Sequence, residues 1–139
     1  MKLVLDASAT IALLLDEPLP GHVKEALIEA LADGPIVPSI WKLEIANVLS
    51  LVTRRRALSI DQRGSFIQDL SRISFEVDAT DVEQAWGEIL TLIDFHGLSS
   101  YDAAYLELAR RRRLPLATLD KALGKAAIAD GVEVIGLEL

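Results

Sequence analysis

Short apolar runs alternate with longer amphipathic stretches along the whole chain, and this alternation limits the possible folds more than any other feature of the sequence. The short runs predict a buried strand at residues 2–6, further strands at 36–38, 116–119 and 132–135, and a minor strand at 75–77. The longer stretches predict helices at residues 7–16, 21–32, 40–56, 59–72 (or 61–72), 81–96, 99–112 and 120–129. Strands that alternate with helices favour an α/β domain with a parallel sheet. Neither a repeat nor a linker interrupts the pattern, so we predict a single domain over residues 1–139.

Composition excludes several classes of functional site. The chain contains no cysteine, which excludes disulfide frameworks, cysteine-ligated metals and thiol catalysis. Its two histidines, His22 and His96, are too few for a three-histidine zinc site. The formal net charge of −7 argues against a generally basic nucleic-acid binder. The N-terminus lacks the pattern of a secretory signal, and no apolar run reaches the roughly 18 residues of a membrane span, so we predict a soluble, cytoplasmic protein.

Four acidic residues stand at strand ends or on apolar helix faces, where acids are uncommon. Asp6 ends the first predicted strand, and Asp120 follows the strand at 116–119. Glu44 has mostly apolar neighbours one helical turn away, and so does Asp102 near the start of its helix. The loops after parallel strands share one edge of a sheet, which places Asp6, Glu44 and Asp120 near that edge. The helix that carries Asp102 must run away from the same edge, so we expect the four carboxylates to cluster.

Each of these acids also has a purely structural interpretation. Asp6 and Asp120 could be N-caps of the helices that follow them. Asp102 stands three residues after Ser99, which is close to a capping box, although Glu or Gln is the usual residue there. Glu44 could pair with an arginine or lysine on a buried face. Capping and metal ligation can coexist at a helix start, so these interpretations stay open beside a functional one.

Clustered carboxylates repel one another and raise each other's pKa, a conflict that a divalent cation removes. Ligation by oxygen alone suits Mg²⁺ or Mn²⁺. Such metals lower the pKa of bound water and neutralise charge on a phosphoryl transition state, so the pattern indicates hydrolysis of a phosphodiester by water. Three polar residues near the acids are candidate supports for a ligand or water: Ser8, Asn47 and Thr118. The structural alternative for the two hydroxyls is a local bond to the backbone.

The four acids belong to motifs that resemble those of PIN-domain ribonucleases. The motifs are Asp6-Ala7-Ser8-Ala9; Pro38 with Glu44-x-x-Asn47-x-Leu49; Leu98-x-x-x-Asp102-x-x-Tyr105-x-x-Leu108-Ala109; and Thr118-Leu119-Asp120-x-x-Leu123-x-x-Ala126-Ala127 with Gly131-Val132. They occur in the expected order over nearly the whole chain. At this length the sequence most resembles the VapC-type toxins of bacterial and archaeal toxin–antitoxin pairs.

This resemblance implies a three-layer α/β/α fold in which a five-stranded parallel sheet lies between helices. It implies one acidic pocket, in which Asp6 and Asp102 are the direct ligands of Mg²⁺ or Mn²⁺ while Glu44 and Asp120 complete the pocket. It also implies an endoribonuclease that cleaves RNA, a partner antitoxin that blocks the site, and a homodimer. All four acids are present, so the sequence shows no sign of an inactive homologue.

The remaining charged and aromatic residues are assigned mainly to structural roles. The arginine runs at 54–56 and 110–113 fall at predicted helix C-termini, where positive charge is favoured. By helical rise they begin on the order of 15 Å from Glu44 and 12 Å from Asp102. Three nearer lysines are candidate substrate contacts: Lys42, Lys121 and Lys125. Neither histidine has a ligand-like partner in the sequence pattern. Both tryptophans are predicted in the core or at an interface: Trp41 and Trp86.

Two other kinds of function stay open from the sequence. The first is a phosphoryl-handling α/β domain, either a receiver or a phosphatase. A receiver would need paired acids after its first strand and a lysine late in the chain, and a phosphatase of the haloacid-dehalogenase type would need Asp-x-Asp, whereas residue 8 is Ser8. The second is a non-catalytic binding module that keeps the pocket.

Overall fold

The architecture is a parallel sheet with helices on both faces. The computed structural model describes residues 1–137, so the last two residues of the predicted domain lie outside the described residues. The strands are β1 (Val4–Leu5), β2 (Ile36–Pro38), β3 (Glu76–Asp78), β4 (Leu116–Ala117) and β5 (Val134–Ile135). The helices are α1 (Ala7–Leu14), α2 (Gly21–Asp33), α3 (Trp41–Arg54), α4 (Ile60–Ser71), α5 (Thr80–Gln84), α6 (Glu88–His96), α7 (Ser100–Arg112) and α8 (Lys121–Ala129). Every strand pairing is parallel, which confirms the predicted α/β fold and the five-stranded sheet.

The order of the strands creates a crevice at one point of the sheet. The spatial order is β3-β2-β1-β4-β5, so the chain moves outward from β1 to β3 and then crosses back to β4. In register, Val4 of β1 lies beside Ile36 on one side and Leu116 on the other. The order therefore reverses between β1 and β4, and ligands of open α/β sheets bind beyond the carboxyl ends of the strands at such a reversal. The receiver alternative is wrong, because receiver domains have the flavodoxin-like strand order 2-1-3-4-5.

The helices form two layers around this sheet. Right-handed connections, the general rule for parallel strands, place α1–α4 on one face and α5–α8 on the other. The packing agrees, since α1 contacts α2 and α3 whereas α7 contacts α6 and α8. Helix α7 also packs against β1, β2 and β4, and its residues 103–109 are all buried. This helix therefore passes along the middle of the sheet and carries its first turn towards the crevice.

Several helix ends follow the local signals in the sequence. Ser59 caps α4 in a full capping box with Gln62, and Ser99 caps α7 by accepting the backbone N–H of Asp102. Helix α6 ends at His96, where Gly97 takes the left-handed conformation with φ 69°. Within residues 1–137, no helix is both long enough and apolar enough to span a membrane.

The predicted helix at 81–96 is wrong in its middle. Helix α5 ends at Gln84 and α6 begins at Glu88, and Gly87 between them has φ −111° and ψ −105°, which is not helical. A glycine leaves the helical conformation at little steric cost, so the amphipathic pattern continues while the backbone turns. Trp86 lies in this turn and is 94% exposed, so it does not belong to the core. Trp41 is 3% exposed and packs against Phe75, which confirms its core position.

Candidate active site

Asp6 and Asp120 flank the point where the strand order reverses. Asp6 directly follows β1, is 4% exposed and caps α1, since its Oδ1 accepts the backbone N–H of Ala9 at 2.9 Å. Asp120 follows β4 and caps α8, where its Oδ1 accepts the backbone N–H of Leu123 at 2.8 Å. Both predicted N-caps are confirmed. Two acids are thereby fixed at the carboxyl ends of neighbouring strands, beside the crevice.

The buried carboxylate of Asp6 is held by hydrogen bonds to both of its oxygens. Oδ1 accepts the hydroxyl of Ser8 at 2.8 Å as well as the Ala9 N–H, and Oδ2 accepts the hydroxyl of Thr118. A carboxylate offers about four acceptor positions, so one position on Oδ2 is left for a ligand. The pKa of Asp6 is raised to about 6, mainly because the loss of hydration on burial outweighs these donors, with a smaller contribution from the nearby charge of Asp102.

Ser8 and Thr118 also tie together the two loops that carry Asp6 and Asp120. The Ser8 hydroxyl accepts the backbone N–H of Leu119 at 3.0 Å, and the Thr118 hydroxyl accepts that of Asp120 at 3.0 Å. Both predicted supports therefore lie against Asp6 and make backbone contacts as well. Asn47, the third predicted support, is exposed on α3, and within residues 1–137 it forms no hydrogen bond to any of the acids.

Glu44 reaches the site from α3, on the face of the sheet opposite α7. It lies in the first turn of α3 and is half-buried, and its Oε1 accepts the hydroxyl of Tyr105 at 2.6 Å. The alternative of a buried pair with an arginine or lysine is wrong, since its partner is a neutral hydroxyl. Burial raises the pKa of Glu44, the Tyr105 hydroxyl opposes that rise, and the charge of Asp102 adds to it.

The face of α3 that carries Glu44 is less apolar than the sequence indicated. The residues of α3 that are buried form a stripe one turn apart: Trp41, Ile45 and Leu49. Glu44 flanks this stripe, while Asn47 and Leu51 lie exposed. The apolar neighbours of Glu44 thus follow from its position at the border of the core.

Asp102 interacts through its charge with each of the other three acids. It is half-buried in the first turn of α7, where Ser99 receives its backbone N–H at 3.1 Å. Burial raises its pKa, and the charge of Asp120 raises it further. Its own charge raises the pKa of Asp6 and of Glu44. These electrostatic effects connect the four predicted acids through Asp102, and we call the set the acidic pocket: Asp6, Glu44, Asp102 and Asp120.

The chemistry of the acidic pocket fits a hard divalent cation. Its metal-binding atoms are carboxylate oxygens, the ligands that such a cation prefers. The pKa values of Asp6, Glu44 and Asp102 are raised, and no side-chain cation of the described chain contributes to these shifts. In residues 1–137, no three histidine or acidic side chains come close enough together to hold a metal ion as they stand. These donor types fit a divalent cation, and a closed coordination shell around one would require the side chains to move.

Tyr105 is a contact of the acidic pocket that we did not predict. It is 1% exposed, and burial together with Glu44 raises its pKa above the usual range, so the hydroxyl keeps its proton. The signal for it was present, because Tyr105 lies three residues after Asp102 and therefore on the same face of α7.

The arginine run at the end of α7 is engaged in ion pairs away from the acidic pocket. Arg111 donates to both oxygens of Asp78 at 3.0 Å and to the buried Glu107 at 2.7 Å. Arg112 pairs with Asp78 at 3.2 Å, and Arg110 with Glu88 at 3.3 Å. These pairs agree with a structural role for the run.

The three candidate lysines are exposed, and among the described residues none of them pairs with an acid of the pocket: Lys42, Lys121 and Lys125. Lys42 lines an apolar groove of about 520 Å³ between α3, α4 and β3. His96 does have an acidic partner, contrary to expectation, since its Nε2 lies 3.1 Å from Oδ1 of Asp130.

Comparison with known proteins adds an independent observation. A family model described as PIN domain matches residues 3–129. Over 125 residues the chain is 30% identical to Ribonuclease VapC3 of Pyrobaculum aerophilum, which covers 90% of this chain and 94% of that protein.

Solved structures share the same fold. PAE2754 from Pyrobaculum aerophilum superposes with a TM-score of 0.71 at 22% identity, covering 97% of this chain and 84% of that one. A toxin–antitoxin complex from Klebsiella pneumoniae gives a TM-score of 0.56 at 19% identity, covering 85% and 86%. At these identities the likeness supports the fold alone.

Proposed function

Since this chain belongs to the PIN domain family, we propose that it is a divalent-metal-dependent endoribonuclease and the toxin component of a toxin–antitoxin pair. The proposal depends chiefly on one observation. A buried carboxylate, Asp6, lies at the point where the strand order reverses, with the charge of Asp102 near it, and no side-chain cation within residues 1–137 neutralises either acid. The name of the relative VapC3, a ribonuclease, supports RNA as the substrate.

We assign the bound cation to Asp6 and Asp102 as direct ligands, with Glu44 and Asp120 completing the pocket. Mg²⁺ or Mn²⁺ fits the oxygen donors, and when bound it would supply a water of lowered pKa and neutralise charge on the phosphoryl group. The chain's own part is to hold the carboxylates in place. Ser8 and Thr118 do so for Asp6 by donating to opposite oxygens, which leaves one acceptor position on Oδ2.

The surface charge suits local recognition of RNA better than general attraction. Assigning four of the 21 acids to the pocket leaves 17 (21 minus 4) against 14 basic residues. Within residues 1–137, the arginines of α7 are engaged by acids, as described above. Selection of RNA should therefore depend on shape and on contacts close to the pocket, since proteins recognise paired RNA mostly by its shape and read sequence from unpaired bases.

RNA cleavage by purified protein tests this function. The wild type should cut labelled RNA with Mn²⁺ or Mg²⁺ and stop when EDTA is added. Asp102→Asn should cut at least about 100-fold more slowly, the order of loss expected when a group that stabilises the transition state is removed. Asp94→Asn is the matched control, because Asp94 is an exposed acid of α6, and it should cut like the wild type. Equal rates for Asp102→Asn and wild type, or cleavage in EDTA, would point to a contaminant.

A non-catalytic binding module is the second candidate, and one observation favours it. The acids of the described chain do not converge on a single point as they stand. A module of this kind would bind RNA without cutting it at any concentration of Mn²⁺. The same cleavage experiment therefore separates the two functions.

We further propose a protein antitoxin as the partner that blocks the pocket, and a homodimer of the chain itself. The Klebsiella pneumoniae complex, whose fold is shared, supports the first of these proposals. Exposed apolar side chains support a protein partner of either kind, including Leu43 at 74% and Phe95 at 78% exposure. We also propose that the chain acts in the cytoplasm.

A test of the antitoxin uses the product of a short neighbouring reading frame. That product should co-purify with the chain and suppress RNA cleavage, and a product that leaves the rate unchanged would contradict the proposal. Sedimentation of the chain alone measures the homodimer, and a monomer at micromolar concentration would contradict it.

A further inference from the structure

The hydroxyl of Tyr105 joins two helices that lie on opposite faces of the sheet. Tyr105 belongs to α7 and is 1% exposed, and its hydroxyl donates to Oε1 of Glu44 on α3 at 2.6 Å. A hydrogen bond to a carboxylate is among the stronger ones in proteins. This bond therefore holds α3 and α7 together beyond the carboxyl ends of the strands.

The direction of this hydrogen bond follows from the two groups that form it. The Tyr105 hydroxyl keeps its proton, and an ionised carboxylate can only accept, so the hydroxyl donates to Oε1 of Glu44. Tyr105 thus directs its one side-chain donor at the Glu44 carboxylate.

Glu44 has little else to keep it in the pocket. Among residues 1–137, no other side chain donates a hydrogen bond to it, and no cation pairs with it. The charge of Asp102 opposes its ionised form, and the side chain is only half-buried, so solvent is within its reach. Without the Tyr105 hydroxyl, the flexible glutamate would turn out towards water, away from the other acids.

We propose that Tyr105 is a positioning residue, which holds the Glu44 carboxylate inside the acidic pocket by one oxygen and leaves Oε2 free for a divalent cation. This inference rests on the proposed metal-dependent function. The ring of Tyr105 belongs to the core, whereas its hydroxyl serves the pocket. Tyr105→Phe separates these roles, since it keeps the ring and removes the hydroxyl.

Mn²⁺ binding, measured by calorimetry without RNA, tests the inference independently of catalysis. Tyr105→Phe should weaken Mn²⁺ binding by about 10-fold, the loss typical of a group that orients a metal ligand. Tyr101→Phe is the matched control, because Tyr101 is on the same helix, 58% exposed, and donates no hydrogen bond to another described residue. It should bind Mn²⁺ within about twofold of wild type.

A Glu44→Ala background shows whether the hydroxyl acts through Glu44. Glu44→Ala should weaken Mn²⁺ binding at least as much as Tyr105→Phe, and adding Tyr105→Phe to it should change the affinity by less than about twofold. Wild-type affinity in Tyr105→Phe or in Glu44→Ala would overturn the inference. So would a second, equal loss when the two changes are combined.

The same samples separate this inference from the proposed function. Mn²⁺-loaded wild type that does not cut RNA would contradict the ribonuclease, while the pattern of Mn²⁺ affinities would still decide the role of Tyr105. Conversely, active wild type with unchanged Mn²⁺ affinity in Tyr105→Phe would overturn the inference alone.

Discussion

Replacing Asp6 by asparagine should stabilise the metal-free protein at neutral pH while abolishing RNA cleavage. The Asp6 carboxyl has a pKa of about 6 in the folded protein, against 3.8 for the unperturbed group, because it is buried. At about 1.4 kcal/mol for each tenfold change in proton affinity, ionised Asp6 destabilises the fold by about 3 kcal/mol. Asparagine is neutral and isosteric, so it removes this cost and keeps the shape of the N-cap.

The pH dependence gives the prediction its sign. Below about pH 4, Asp6 is protonated in the folded and unfolded states, so the folded wild type does not bury a charge at this position. As the pH rises from about 4 to 6, the unfolded state loses its proton first, and stability of the wild type falls. Asp6→Asn lacks this fall, so the variant should be more stable by up to about 3 kcal/mol above pH 6. The NH₂ group of the asparagine replaces one carboxylate oxygen and then faces a hydroxyl donor, Ser8 or Thr118. This lost hydrogen bond should reduce the gain in stability by about 1 kcal/mol.

Urea unfolding followed by circular dichroism, in EDTA and between pH 4 and 8, measures the difference. Asp94→Asn, which changes an exposed acid, should show no such dependence. Mn²⁺ should stabilise the wild type by about 2.7 kcal/mol at 100 times its dissociation constant, and Asp6→Asn by much less. The reasoning fails if Asp6→Asn is less stable than wild type at pH 8, or if the gap is the same at pH 4.

Two further substitutions test the contacts around the site. Ser8→Ala removes the hydroxyl that donates to Asp6, so it should cost about 1–2 kcal/mol in urea unfolding and slow RNA cleavage about 10-fold; an unchanged rate would show that Asp6 does not need this donor. Arg111→Ala leaves the buried Glu107 without its partner and should cost about 3 kcal/mol, whereas Arg55→Ala, at an exposed helix end, should stay within about 0.5 kcal/mol. Equal effects of the two arginine changes would contradict the assigned ion pair.

The sequence was sufficient to place the acids that directly follow strands. Asp6 and Asp120 each come after a short apolar run, and parallel strands bring their carboxyl ends to one edge. Local signals also gave both N-caps, because a cap depends only on residues within one turn. The capping and functional interpretations of these acids are compatible, since each cap uses one carboxylate oxygen.

Contacts between residues far apart in the chain could not be predicted from the sequence. Glu44 and Tyr105 are separated by 61 positions, and their pairing depends on how the two helical layers meet beyond the sheet. The sequence offered an arginine or lysine as the partner of Glu44, because residue type alone favours opposite charge. Likewise, the dipole argument explained why Arg111 ends α7, but its bond to Asp78 depends on where β3 lies.

The break between α5 and α6 shows a different limit. The amphipathic pattern predicted one helix over 81–96, yet the backbone turns at Gly87 and leaves Trp86 exposed. Hydrophobic periodicity reports which side chains can be buried, and it carries little information on whether the helix axis continues.

Anomalous diffraction at the manganese edge, from crystals of the wild type soaked in Mn²⁺, tests the central claim most directly. We expect a manganese peak within coordination distance of Asp6 and Asp102. Oε2 of Glu44 should face the peak while Oε1 keeps its hydrogen bond to Tyr105. Crystals of Asp6→Asn treated in the same way should lack the peak. If the wild-type pocket shows no manganese peak, or if the peak lies elsewhere on the chain, the assignment of these acids as the metal centre of a ribonuclease is contradicted.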